Sequence, residues 1–146
     1  MNTYSKMPRK HLYIILFTVA SVILFASIEV MIKVKDLTLY ETWAKSTMGI
    51  TESSFNIYVT TQLSSYFTKI IIPMIFGVYT YFAYIKIRVN SLFVFMWSVL
   101  IIGSFGYNIS DLNYGSIFFY GYIIGYFVLL MTVLSLLQII QDSKSK

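Results

Sequence analysis

YFTKIIIPMIFGVYTYFAYI, residues 66–85, decides how the rest of the chain is read. Its length matches the roughly 20 residues that an α-helix needs to cross the ~30 Å hydrocarbon core of a bilayer. Lys69 and Pro73 stand near its start. A charge at membrane depth is costly and a proline removes a backbone hydrogen bond, so both mark a specialised stretch of helix.

Three more apolar runs surround it, at residues 12–32, 92–109 and 116–140. Only 12% of the 146 residues are charged, against about 25% in a soluble domain, so the bilayer is the expected solvent. The expected fold is an all-α integral membrane protein. It is a single domain, residues 1–146, with four transmembrane helices over about residues 12–32, 66–85, 92–109 and 116–140. The Asn90-Ser91 turn and the SDLNYG segment are short, which makes neighbouring spans antiparallel in up-down order. The first run is longer than the 7–15 residues of a signal-peptide core, and Phe25 and Ile28 flank the small Ala26 and Ser27, so it is expected to remain uncleaved.

Residues 33–65 form the outer segment. Thr38 followed by Glu41 has the spacing of a capping box and opens LYETWAKSTM, with Gly49 as a stop. A short interfacial helix is expected there, with Tyr40 and Trp43 as headgroup-level anchors. A partly ordered loop is the competing reading. Thr51 is a candidate cap for a further helix that carries FNIYVTTQLSS into the second span.

Lysine and arginine bias sets orientation. Residues 6, 9, 10, 86, 88, 144 and 146 fall on one side, and Lys33, Lys35 and Lys45 on the other. Both termini are therefore expected to be cytoplasmic, in a cell membrane. The net charge of +5 lies at the edges of apolar runs, so it reads as topology and not as nucleic-acid binding. The abundance of Ile, Phe, Tyr and Lys suggests a bacterial source.

Glu29 and Lys69 are the only charges inside apolar runs, each near the outer end of its span. An intramembrane charge pair would lower the cost of both. Separate snorkelling to the outer surface is the plainer reading, and a transport role the sharper one. Pro73 predicts a helix kink and leaves the carbonyl of Lys69, four residues earlier, without its usual partner. Thr61, Ser65 and Thr68 share a face that leads to this region. Gly121 and Gly125, continued by Val128, Thr132 and Ser135, form a helix-packing face, with Gly103 and Gly106 as the matching surface in the same molecule.

Cysteine is absent and His11 is the only histidine, so thiolate chemistry and histidine-rich metal sites are excluded. No serine–histidine–acid set and no phosphate-cradling glycine loop appears. The expected protein is not an enzyme and uses no cofactor or metal. It is an accessory or protective, immunity-like subunit, bound by the lipid bilayer and by another membrane protein or a second copy. The alternative is a small transporter or lipid-linked substrate carrier that uses Glu29 and Lys69. A membrane enzyme ranks last.

Overall fold

The computed structural model describes residues 6–47, 55–110 and 116–142. The helices are α1 (Arg9–Lys35), α2 (Leu37–Thr47), α3 (Phe55–Phe82), α4 (Ser91–Ser110) and α5 (Ile117–Asp142), with a π-helical turn at Ala83–Ile87 after α3. Among the described residues, four stretches are long and apolar enough to cross a membrane: Arg9–Lys35, Phe55–Lys86, Ser91–Ile109 and Ile117–Asp142. By length and composition this is a multi-pass membrane protein.

Pro8 opens α1, where its fixed backbone is tolerated and its carbonyl accepts from the amides of His11 and Leu12. The helix ends at Asp36, whose extended backbone (φ −85°, ψ 105°) turns the chain into α2. The cap of α2 differs from the capping box expected at Thr38. Oδ1 of Asp36 accepts from the amides of Thr38 at 2.9 Å and Leu39 at 3.3 Å, and from the Thr38 hydroxyl at 2.6 Å. A carboxylate there satisfies two orphan amides and sits in the positive end of the helix, which a threonine cannot match. The expected stop at Gly49 and cap at Thr51 lie outside the described residues.

The apolar stretch Phe55–Lys86 has 32 residues. At 1.5 Å per residue that is about 48 Å, well beyond a ~30 Å hydrocarbon core. Its surplus carries α2. Tyr40 packs edge-on to Phe55 and Tyr58, with centroids 5.4 and 5.5 Å apart, and Trp43 lies 5.4 Å from Tyr58. Tyr58 is buried, and its hydroxyl donates to the Lys33 carbonyl at 2.8 Å, which ties the α1 end to the start of α3.

α1 lies between α3 and α5, and α4 packs on α5 and α3. Residue numbers rise along α1 as they fall along α5: His11 meets Ser135, Val22 meets Gly125 and Phe25 meets Phe118. The same holds against α3 and the π turn that follows it, where Arg9 reaches Tyr84, Val19 touches Gly77 and Ser27 bonds Tyr66. Ile15, Val22, Phe76 and Val133 are fully buried at the centre. The outer surface is apolar too, with Phe17 77% and Ile117 78% exposed. Between helices in lipid the apolar surface gives no net hydrophobic drive, so close packing holds the bundle together.

The closest approach is at Gly125. A Cβ there would lie 2.5 Å from Cγ2 of Val22. Gly121 likewise faces Phe25, at 3.1 Å. The helix-packing face is thus turned toward α1. Gly125 belongs to the buried stripe of α5, with Tyr122, Tyr126, Leu129, Val133 and Leu136, but the rest of the expected face does not. Val128 is exposed, and the Thr132 hydroxyl returns to the Val128 carbonyl. Gly103 and Gly106 do not supply the matching surface: nothing lies within 4 Å of a Cβ at either. α1 matches the glycines instead, with the side chains of Val22 and Phe25 set against the space where a Cβ at Gly125 and Gly121 would stand.

After the π turn, the Arg88 amide donates to the Ala83 carbonyl at 2.9 Å. Arg88 itself takes φ 63°, ψ 162°. That region is nearly reserved for glycine and costs a residue with a Cβ about 1–3 kcal/mol.

Candidate functional site

The two charges that the sequence places in apolar runs are both buried here, Glu29 at 7% and Lys69 at 8% exposure. They line one small cavity together with Lys33, Gln62, Ser65 and Tyr66. Its volume is about 10 Å³, room for about one water molecule. The two residues come together as neighbours in this wall. The ionic partner that approaches Glu29 is Lys33, its Nζ 2.8 Å from Oε1. The approach is short but off the direction of a hydrogen bond, so Oε1 has no directed donor among the described residues.

Reading the apolar runs alone passes over Lys33, because it lies just beyond the first of them. The signal was present: Glu29 and Lys33 have i, i+4 spacing in the favourable order, glutamate first. Both also border a second, open cleft of about 360 Å³ with Ile32, Leu39, Ser116 and Phe118. The cluster of one carboxylate and two ammonium groups, Glu29, Lys33 and Lys69, therefore connects an inner pocket to an outer opening between α1, α2 and the start of α5. Its chemistry is ionic: two cations against one anion suit a carboxylate or phosphate group better than a cation. Among the described residues no three His, Asp or Glu side chains gather as a metal site would need.

Below this cluster the Pro73 region is closed. α3 continues through the proline. The Lys69 carbonyl accepts from Tyr122 and Tyr126, each at 3.2 Å. Because Tyr126 donates there, its oxygen accepts from Ser104 at 2.8 Å, and Asn108 in turn donates to the Ser104 carbonyl at 2.6 Å. A directed chain thus runs from α4 through α5 to α3. The tyrosines escaped the sequence reading because an apolar run gives no hint of which hydroxyl meets which backbone gap.

Of the other positions singled out, Ser135 gives its proton to the Thr132 carbonyl at 2.7 Å, so His11 donates to it from Nε2 at 3.1 Å. Thr61 and Thr68 return their hydroxyls to carbonyls one turn back on their own helix. Only Ser65 of that face lines the cavity. Tyr40 and Trp43 join the aromatic cluster over Tyr58.

Comparison with known protein families, curated proteins and solved structures finds no match to this chain. Its class is defined by its own architecture, a helical protein with four helices able to span a membrane.

Proposed function

We propose that this chain is a non-catalytic accessory or protective subunit, immunity-like in mode, that acts by lateral contact with another membrane protein. The observation that carries this reading is the outward face of α4. Gly103 and Gly106 have open space where a Cβ would stand, flanked by exposed Val99, Ile102 and Tyr107. Small residues let a neighbouring helix come close and gain the dispersion contacts that drive association in lipid. The hydroxyls of Tyr122, Tyr126 and Ser104 are spent inside the bundle.

The same reading places the spans in up-down order in a bacterial cell membrane, with both termini in the cytoplasm and α2 along the outer surface. Tyr40 and Trp43 would then anchor α2 at headgroup level.

Capture from mild detergent tests the proposal. A stoichiometric membrane-protein partner is expected with the native chain and lost with the double change Gly103→Leu, Gly106→Leu, while the melting temperature stays the same. A chain that purifies without a partner, or a partner retained by the double variant, would overturn it.

The second reading is a small transporter or lipid-linked substrate carrier. It is favoured by the way Glu29 and Lys33 border both the inner cavity and the outer cleft. Uptake that depends on Glu29 and Lys69 in a protein of unchanged stability would support it.

A further inference from the structure

A second groove lies at the other end of the bundle, between the end of α3 and the start of α4. Arg88 and Asn90 form its rim, and Leu92, Met96, Trp97 and Leu100 its wall, around a volume of about 280 Å³. We propose that this groove binds an anionic phospholipid, with the phosphate on Arg88 and an acyl chain along α4.

The shape fits an amphiphile. Leu92, Met96 and Leu100 repeat every four residues, so they give an apolar wall about 12 Å long. That approaches the ~15 Å depth of one leaflet's hydrocarbon. Leu92 and Met96 are 60% and 53% exposed, so the groove opens sideways, where a lipid would enter. The charged and amide groups, Arg88 and Asn90, sit at the rim, and Tyr79 and Trp97 add aromatic rings to the wall. Asn90 uses Oδ1 to accept from the Phe93 amide at 2.8 Å, which leaves its NH₂ free to donate to a phosphate oxygen. A guanidinium adds a bidentate clamp for the same group.

The charge fits as well. Arg88 has no carboxylate partner among the described residues. Lys6, Arg9, Lys10 and Lys86 share its end of the bundle, since Arg9 donates to Tyr84 at 3.2 Å. Asp142 is the one acid there among the described residues. A zwitterionic headgroup would bring an ammonium group into this field with no carboxylate on the groove to receive it.

The backbone supplies an independent observation. Arg88 occupies φ 63°, ψ 162°, where glycine would sit without strain. Strain held at one charged side chain that lines a groove points to a use for that side chain.

The test follows from that strain. The purified full chain in maltoside micelles is titrated with dioleoyl phosphatidylglycerol or dioleoyl phosphatidylcholine, and retained lipid is counted by native mass spectrometry. Arg88→Gly is expected to melt a few degrees higher without lipid, because its backbone relaxes, yet to bind phosphatidylglycerol at least 10-fold more weakly. Lys10→Gln, a surface cation at the same end, should stay within 2-fold of the native chain. Met96→Trp should block the groove and abolish the one-to-one adduct. Equal losses for Arg88→Gly and Lys10→Gln would mean diffuse surface charge and overturn the site. Equal retention of phosphatidylcholine, or full retention by Arg88→Gly, would overturn it too.

Discussion

The main-chain carbonyl of Lys69 accepts the phenolic hydroxyl of Tyr126 across the bundle, at 3.2 Å. Pro73 makes that oxygen available, because the residue four positions on has no N–H to give it. Tyr122 donates to the same oxygen at 3.2 Å. The proline is thus accommodated by α5, and the backbone group it frees is already occupied.

Two donors on one acceptor predict non-additive mutations. Tyr122→Phe leaves the carbonyl served by Tyr126 and should cost about 0.5–1 kcal/mol, the usual range for a hydrogen bond between membrane helices. Removing both hydroxyls strands a buried carbonyl, so the double variant should lose more than the sum of the singles. In a Pro73→Ala background the restored main-chain amide can take over, and the excess should shrink. Detergent-induced unfolding of all the variants measures this. Strict additivity in both backgrounds would mean that the tyrosines do not share the carbonyl.

The four apolar runs were legible because hydrocarbon demands about 20 apolar residues wherever it is crossed. Their inward faces were not. α1, α4 and α5 are apolar on nearly every side, so periodicity carries no direction to a core. Gly103 and Gly125 look alike in sequence, yet one faces open space and the other meets Val22. Lys69 was legible as an anomaly, but Lys33, its neighbour in the cavity wall, reads as an ordinary flanking charge. Caps follow local chemistry more closely, and even there Asp36 outcompetes Thr38 as the cap of α2.

That contrast between glycines can be measured. Gly125→Ala forces a methyl to within 2.5 Å of a Val22 methyl, and valine has little χ1 freedom with which to yield. A loss of about 1–3 kcal/mol is expected, as for other overpacked cores. Val22→Ala added to Gly125→Ala should recover part of it. Gly103→Ala meets nothing and should be neutral or slightly stabilising, since alanine is the better helix former. Equal effects at positions 103 and 125 would contradict the packing.

Glu29 and Lys33 should be energetically coupled. Their side chains are 9% and 15% exposed, so removing one leaves the other poorly solvated. Breaking a fully buried pair costs about 3–5 kcal/mol; the adjoining cleft should lower this to about 1–3 kcal/mol. A cycle of Glu29→Gln and Lys33→Gln gives the coupling, and a parallel cycle with Lys69→Gln shows how far the second lysine shares it. No coupling with either lysine would mean that the three charges are stabilised independently.

Asp36 makes α2 sensitive to acid. The Thr38 hydroxyl and the Leu39 and Thr38 amides hold its carboxyl below the ordinary aspartate value. A depressed folded value means that the cap stabilises α2 above the ordinary aspartate range and fades as pH falls through the lower folded value. The chain has no cysteine, so a nitroxide on Thr42→Cys reports α2 alone. Its spectrum should become more mobile on acidification below that range. Asp36→Asn should flatten the response, since an amide does not titrate. An unchanged pH response in Asp36→Asn would assign the transition to another group.

Orientation is testable with the same lack of cysteine. The basic residues cluster at the end of the bundle where Arg9 meets Tyr84, and positive charge is retained on the cytoplasmic side during insertion. Ser46 lies on α2, beyond the opposite end of α1, whereas Ser91 opens α4 and Gln141 lies in the last turn of α5. An impermeant maleimide applied to intact cells should therefore modify Ser46→Cys and spare Ser91→Cys and Gln141→Cys, and all three should react once the membrane is opened. Lys33, Lys35 and Lys45 sit on the outer side in this arrangement and weaken the bias. Neutralising Lys6, Arg9 and Lys10 together should then produce a measurable inverted fraction, in which Gln141→Cys gains labelling from outside. Labelling of Ser91→Cys in intact cells carrying the native basic residues would reverse the orientation. Labelling of Ser46→Cys and Gln141→Cys from the same side would require an even number of crossings between them, where α3, α4 and α5 supply three.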